Sequence, residues 1–229
     1  EKMKKLILFD YDGTLVDSAD IIVEGTIEAF VRCGLPKPDP TKVRAGIGHK
    51  LVTALKNYLP DDLTIDPNVI AAEYRKWYQE KDEEGIHFEP IFKGVHSLLD
   101  FLKSEGWLLG IATNKSSRGL FRGLKHHKIE HFFDLIMTSD DFPAKPKPDM
   151  ALNAQRKLSV DNNRSIMIGD TVHDIVMGKL AKCKTIGVTW GYNSRESLID
   201  ADADFIADEL DQLLSLLKTE KILGEKNAI

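Results

Sequence analysis

At 229 residues and 42% hydrophobic content, the chain can bury one substantial core, or one core with a smaller satellite domain. Its 36 acidic and 31 basic residues give a net charge of -5, which argues against a general nucleic-acid or membrane-surface binder, since either would be basic. The two cysteines, Cys33 and Cys183, stand far apart and outside any CxxC pair, so neither a disulfide framework nor a zinc ribbon is expected, and a reducing cytoplasm fits.

Glu1 and Lys2 precede Met3, which reads as the natural start. Asp10 interrupts the chain before any apolar run reaches signal-peptide length, and nothing resembles an uninterrupted membrane span, so a soluble protein is expected. The first element is Leu6-Ile7-Leu8-Phe9, too short and too apolar for an exposed strand and therefore expected as a buried strand of a parallel sheet. It runs straight into Asp10, Asp12 and Asp17, a crowding of carboxylates that costs energy unless a cation or a proton is shared among them.

The segment 18–84 is helical in pattern throughout, with a proline-rich break at 36–40. Apolar runs then recur at 107–112, 135–137, 165–168, 185–189 and 203–207. Between them lie helix-length amphipathic segments at 95–103, 117–127, 150–158 and 171–181; a last helix is expected at 211–217 and a fraying tail at 219–229. Alternating strands and helices imply an α/β fold, a doubly wound, Rossmann-like parallel sheet. The expected organisation is a core domain of 1–17 and 85–229 with an inserted all-helical cap of 18–84. Such an insertion, leaving and rejoining beside the first strand's carboxyl end, is placed to act as a lid, with 84–90 as its return hinge.

Ligands of doubly wound sheets sit at the carboxyl ends of the strands. Those ends read Asp10-Tyr11-Asp12-Gly13-Thr14, Thr113-Asn114-Lys115, Lys145 in AKPKPDM, and Gly169-Asp170 with Asp174 in GDTVHD. In this order and spacing they resemble the four signature motifs of the haloacid dehalogenase superfamily, with the helical insertion where that family carries its cap. Within the superfamily, DYDGTLVDS, KPKPD, the GD motif and VTWGY are most similar to the phosphoglycolate phosphatases.

The chemistry is also arguable from residue types. An aspartate of ordinary pKa is ionised at neutral pH, so Asp10 needs no base to serve as a nucleophile toward phosphorus. Attack of one anion on another requires positive charge nearby, which magnesium held by oxygen ligands supplies. The resemblance implies that the Mg2+ ligands are the side chains of Asp10 and Asp170 and the backbone carbonyl of Asp12, with Asp174 orienting the shell or its waters. A carboxyl two residues from the nucleophile suits Asp12 to protonate the leaving alkoxide and later deprotonate water, provided a turn at Gly13 re-aims it. Thr113 and the backbone of Asn114 are expected to bind phosphoryl oxygens, and Lys145 to neutralise Asp10 and the transferring group. Lys147 is a rival for that role, and the family spacing Lys-Pro-x-Pro-Asp selects Lys145. A helix-capping role for Thr113 and Asn114 is compatible with phosphate binding.

In the helical insertion, RAGIGHK places Arg44, His49 and Lys50 around a glycine-rich break. The resemblance implies contact there with the substrate beyond its phosphate, a carboxylate for instance; a helix–helix turn with exposed charges is the plainer reading. Asp17 and Ser18 are expected to shape the entry to the insertion, Ser18 as an N-cap. HHKIEHFF reads as surface histidines rather than a metal site, and 115–128 as an amphipathic helix rather than a nucleic-acid patch.

The expectation is therefore a magnesium-dependent phosphomonoester hydrolase that forms an aspartyl-phosphate at Asp10 on a small phosphorylated metabolite, with phosphoglycolate leading. A sugar phosphomutase or an inorganic pyrophosphatase would share the core motifs. A haloacid dehalogenase would not need the acid Asp12, and a non-catalytic phosphate-binding module would have lost one of Asp10, Asp12, Lys145 or Asp170. No nucleic-acid or membrane partner is expected, and monomer and homodimer both stay open.

Overall fold

A computed structural model describes residues 3–85 and 89–224. Glu1, Lys2 and the end of the expected tail, 225–229, lie outside the described residues, as does 86–88 of the expected hinge.

Six strands, β1 (Leu6–Phe9), β2 (Leu108–Thr113), β3 (Leu135–Thr138), β4 (Ser165–Gly169), β5 (Lys184–Val188) and β6 (Phe205–Ala207), form one sheet in the order β3-β2-β1-β4-β5-β6. Every neighbouring pair is parallel. Parallel strands need crossovers and are covered on both faces, which is why β1 is a continuous apolar run with no exposed residue. Alternation along β1 sends Ile7 and Phe9 into one packed cluster and Leu6 and Leu8 into another, on opposite faces of the sheet.

Between β1 and β2 the chain forms α1 (Ala19–Arg32), α2 (Pro40–Ala45), α3 (Leu51–Tyr58), α4 (Pro67–Glu84) and α5 (Val95–Ser104). The later crossovers are α6 (Ser117–His126), α7 (Asp149–Leu158), α8 (Val172–Leu180) and α9 (Arg195–Asp200), and α10 (Leu210–Lys218) follows β6. Helices α1 to α4 have a hydrophobic cluster of their own, centred on Phe30, Leu55, Ile70 and Tyr58. Proline at the first position and an aspartate cap start α2 and α4: Asp39 accepts from the Thr41 N–H at 2.8 Å and Asp66 from the Asn68 N–H at 2.9 Å. The two crossings between insertion and sheet are laced together, with the Asp17 N–H donating to the Pro90 carbonyl at 2.8 Å and the Phe92 N–H to the Leu15 carbonyl at 3.0 Å.

Two local expectations are corrected. Ser18 stands at the N-cap position of α1 but makes no capping bond; Tyr192 claims it, its hydroxyl accepting the Ser18 N–H at 2.9 Å and lying 3.2 Å from the Ser18 hydroxyl. The tail does not fray from 219, because a short 3-10 turn at Glu220–Leu223 packs Ile222 into the core at 2% exposure. No helix among the described residues is long and apolar enough to cross a membrane.

Candidate active site

In the observed strand order the chain switches direction between β1 and β4, and the crevice beyond their carboxyl ends is where a doubly wound sheet binds its ligand. Asp10 follows β1, Asp170 follows β4 and Thr113 ends β2. All three are buried, with exposures of 3%, 0% and 1%. Lys145, from the loop between β3 and α7, is equally buried and places its ammonium 3.0 Å from Asp10 Oδ1 and 2.6 Å from Asp174 Oδ1. Lys147, the rival in the same motif, is exposed.

Each carboxylate is held by donors. Asp10 Oδ1 accepts the Tyr11 N–H at 2.7 Å. Asp170 takes the Thr14 hydroxyl on Oδ1 at 3.0 Å and the Tyr192 N–H on Oδ2 at 2.9 Å. Asp174 accepts both the N–H and the hydroxyl of Thr171 on Oδ2, each at 3.0 Å, closing a capping box at the start of α8. The backbone comes so close to Asp170 that side chains are excluded. A Cβ on Gly13, at φ 81°, would stand 2.3 Å from Asp170 Oδ2, and one on Gly191 would stand 2.2 Å from the same oxygen.

One oxygen from each of Asp10, Asp170 and Asp174 falls within a 4.8 Å span. Three buried carboxylates face the single Lys145 ammonium, and the imbalance shows in their proton affinity. Burial pushes Asp10 up to about 7, the Asp174 charge adding to the rise and Lys145 opposing it. Asp170 is driven well above the carboxylate range by burial and then by Asp10 and Asp174. The expectation of an ordinary pKa for Asp10 is thus corrected: in this pocket its ionisation needs more positive charge than Lys145 supplies. A hard, oxygen-preferring cation fits that donor set. Lys145 itself stays charged, since Asp10 and Asp174 outweigh the burial that would discharge it.

Asp12 lies apart from the triad. Its carboxylate pairs with Lys115, whose Nζ lies 3.0 Å from Oδ1 and 3.3 Å from Oδ2. Lys115 also meets the buried Glu89 at 3.3 Å. Burial alone would lower the Lys115 pKa, but Asp12 and Glu89 outweigh it and raise it; burial would raise that of Glu89, but Lys115, a backbone hydrogen bond and Arg122 together outweigh it and lower it. Lys115 and Glu89, like Thr14 and Tyr192, escape motif reasoning because their partners are distant in sequence.

The Asn114 side chain is a clasp. Its Nδ2 donates to the carbonyls of Gly48 at 2.8 Å and Lys145 at 3.2 Å, while Oδ1 accepts the Lys145 N–H at 2.8 Å. Neither Thr113 nor Asn114 caps α6, whose N-cap is Ser116; the Thr113 hydroxyl instead accepts the Lys115 N–H at 3.1 Å.

Above Asp10 and Asp12 lies a cavity of about 430 Å³ walled by the insertion on one side and by Thr113, Asn114 and Lys115 on the other. His49 and Lys50 line it, and Arg44 does not. Arg44 is half exposed, 4.0 Å from Asp20 and 5.8 Å from the Tyr192 ring centre. His49 Nε2 meets His173 Nε2 at 3.4 Å, and the Lys50 ammonium donates to the Ser139 carbonyl at 3.3 Å. His127 Nε2 lies 2.6 Å from the Glu89 carbonyl oxygen, so that histidine is part of the packing rather than a free surface group.

The model of the haloacid dehalogenase-like hydrolases matches residues 7–188. The chain belongs to that family. Phosphoglycolate phosphatase of Vibrio cholerae is 33% identical over 94% of this chain and 98% of its own length. Pyrophosphatase PpaX of Anoxybacillus flavithermus is 31% identical over 92% and 95%. The crystal structure of a predicted phosphatase from Clostridium acetobutylicum superposes with a TM-score of 0.82 at 27% identity, covering 94% of this chain and 99% of that one. This haloacid dehalogenase-like hydrolase is a phosphatase.

Proposed function

We propose that the protein hydrolyses the phosphomonoester of a small phosphorylated metabolite through an aspartyl-phosphate on Asp10, with magnesium at the carboxylate triad. The observation that carries this reading is the burial of Asp10, Asp170 and Asp174 around one lysine, a charge imbalance that a dication resolves. In the ligand set that the family resemblance implies, Asp10 and Asp170 would hold the ion with the Asp12 carbonyl, and Asp174, bonded to Lys145 and Thr171, would anchor Lys145. Bound magnesium would supply the positive charge that lets an anionic nucleophile approach an anionic ester.

The Tyr11 N–H and Lys145 both fall on Asp10 Oδ1, leaving Oδ2 to attack phosphorus. As the new P–O bond forms, the ester P–O bond breaks and Asp12 hands its proton to the departing alkoxide. A water then loses a proton to Asp12 and attacks the same phosphorus, releasing inorganic phosphate and restoring the Asp10 carboxylate. Thr113 and the Asn114 backbone bind the phosphoryl oxygens, and Lys145 balances charge that builds on them. Residues 18–84 serve as the cap and 1–17 with 85–229 as the core; closure over the cavity excludes bulk water.

A phosphoglycolate-like ester is the leading substrate, with His49 and Lys50 placed to meet the part beyond the phosphate. Pyrophosphate is the second reading, favoured by the resemblance to the Anoxybacillus protein. Against it, Ile22, Leu51, Leu55 and Tyr74 line the cavity and suit a leaving group that carries carbon. The deciding experiment is a phosphate-release panel with magnesium. The expected result is turnover of small phosphomonoesters, lost in Asp10→Asn and on chelation, with a hydroxylamine-sensitive phosphoenzyme trapped from the wild type. Turnover confined to pyrophosphate selects the second reading, and activity retained in Asp10→Asn overturns the mechanism.

A further inference from the structure

Beside the triad lies a second buried charge cluster, of which Lys115 and Glu89 take no part in the steps above. Lys115 reaches both oxygens of Asp12 at 3.0 and 3.3 Å, and on its other side Glu89 Oε1 at 3.3 Å. The Glu89 side chain has 0% exposure, and among the described residues neither of its carboxylate oxygens accepts an aligned hydrogen bond. Arg122 Nη2 stands 3.7 Å from the same Oε1. A carboxylate buried in this way costs free energy. Among the described residues its nearest cation is Lys115, which lies between two acids, Glu89 and Asp12. The backbone reinforces the arrangement, since Pro90, next to Glu89, is bonded to Asp17 at the end of the turn that carries Asp12.

We propose that Lys115 is a positioning residue: it fixes the direction of the Asp12 carboxylate toward the leaving group, and Glu89 fixes Lys115. An aspartate on a turn has several rotamers, and an ammonium forked across both oxygens selects one of them. Such selection raises the fraction of encounters in which proton and alkoxide are aligned without touching the substrate. The inference rests on the acid–base role of Asp12 given above.

The test is steady-state kinetics on 2-phosphoglycolate and on 4-nitrophenyl phosphate, whose leaving group needs no proton. Lys115→Met is expected to lower kcat on the alkyl ester about ten-fold or more, since general acid–base catalysis is worth at least that. KM should stay within about two-fold. The loss in kcat/KM should be larger for the alkyl than for the aryl ester, and Lys115→Arg should regain part of it. Because Glu89 acts through Lys115, the double variant Lys115→Met with Glu89→Gln should be no slower than Lys115→Met alone. Lys115→Met leaves Glu89 without its nearest cation; should that variant not fold, the double variant, compared with Glu89→Gln, gives the same measurement. Unchanged kcat, a loss confined to KM, equal losses on the two esters, or additive losses in the double variant would each overturn the proposal. A wild type that hydrolyses no phosphomonoester overturns the acid–base reading and this inference with it, whereas an active wild type with an unaffected Lys115→Met overturns this inference alone.

Discussion

Burial makes the charge on Asp10 costly, and that cost has a sign. Its folded pKa of about 7 lies above the ordinary 3.8, so between those values the folded state holds a proton that the unfolded state releases. Stability of the metal-free protein should therefore fall as pH rises from about 4 to about 7. Thermal melts of chelated protein across that range should show a declining Tm, a flatter profile in Asp10→Asn, and the greatest gain from added magnesium at the upper end. A chelated Tm that climbs steadily through the window contradicts the assignment. At Gly13, a Cβ would meet Asp170 Oδ2 at 2.3 Å from a backbone of positive φ. Gly13→Ala should cost on the order of a hundred-fold in kcat, as loss of one well-placed electrostatic group does, with weaker metal binding by titration calorimetry. Asp10, Asp12, Lys145 and Asp170 were legible because each directly follows an apolar run or sits in a spaced motif. Lys115 and Glu89 were not, since a charge pair across 25 intervening positions leaves no periodicity to read.

Among the elements, the strands were the most legible and the caps the least. Every strand overlaps its apolar run, with ends differing by at most two residues, because burial on both faces leaves little room for polar residues. Ser18 had the right residue type at the right position and still did not cap, since Tyr192 competes for its N–H and hydroxyl. The end of β2 offers a sharper test. The Asn114 side chain joins it to the Lys145 loop and to Gly48 of the insertion through bonds of 2.8 to 3.2 Å. Asn114→Ala should destabilise by about 1–3 kcal/mol, the cost of orphaned buried partners. If the clasp holds Lys145 in place, kcat should drop as well. Denaturant melts showing no loss of stability would remove the clasp from the account.

For the molecule as a whole, the insertion and the sheet have separate cores, and the candidate site lies between them. Truncating Leu55, fully buried in the insertion's cluster, should cost about 2–5 kcal/mol there. If 18–84 folds as a unit of its own, Leu55→Ala should open that segment first, so that limited proteolysis cuts within it while a sheet fragment persists and KM rises. Simultaneous loss of both parts would show that they unfold as one.

The sequence alone determined the alternation of strands and helices, the place of the helical insertion and the residues at the strand ends, because burial and turn chemistry are local demands that each segment meets with its own composition. Only the tertiary structure decided how charge is shared among those residues. It set three carboxylates against one lysine and paired Asp12 with Lys115, which also meets Glu89. It also left Arg44 outside the cavity that His49 and Lys50 enter. Coulombic balance and desolvation depend on distances across the fold, and no stretch of chain contains them.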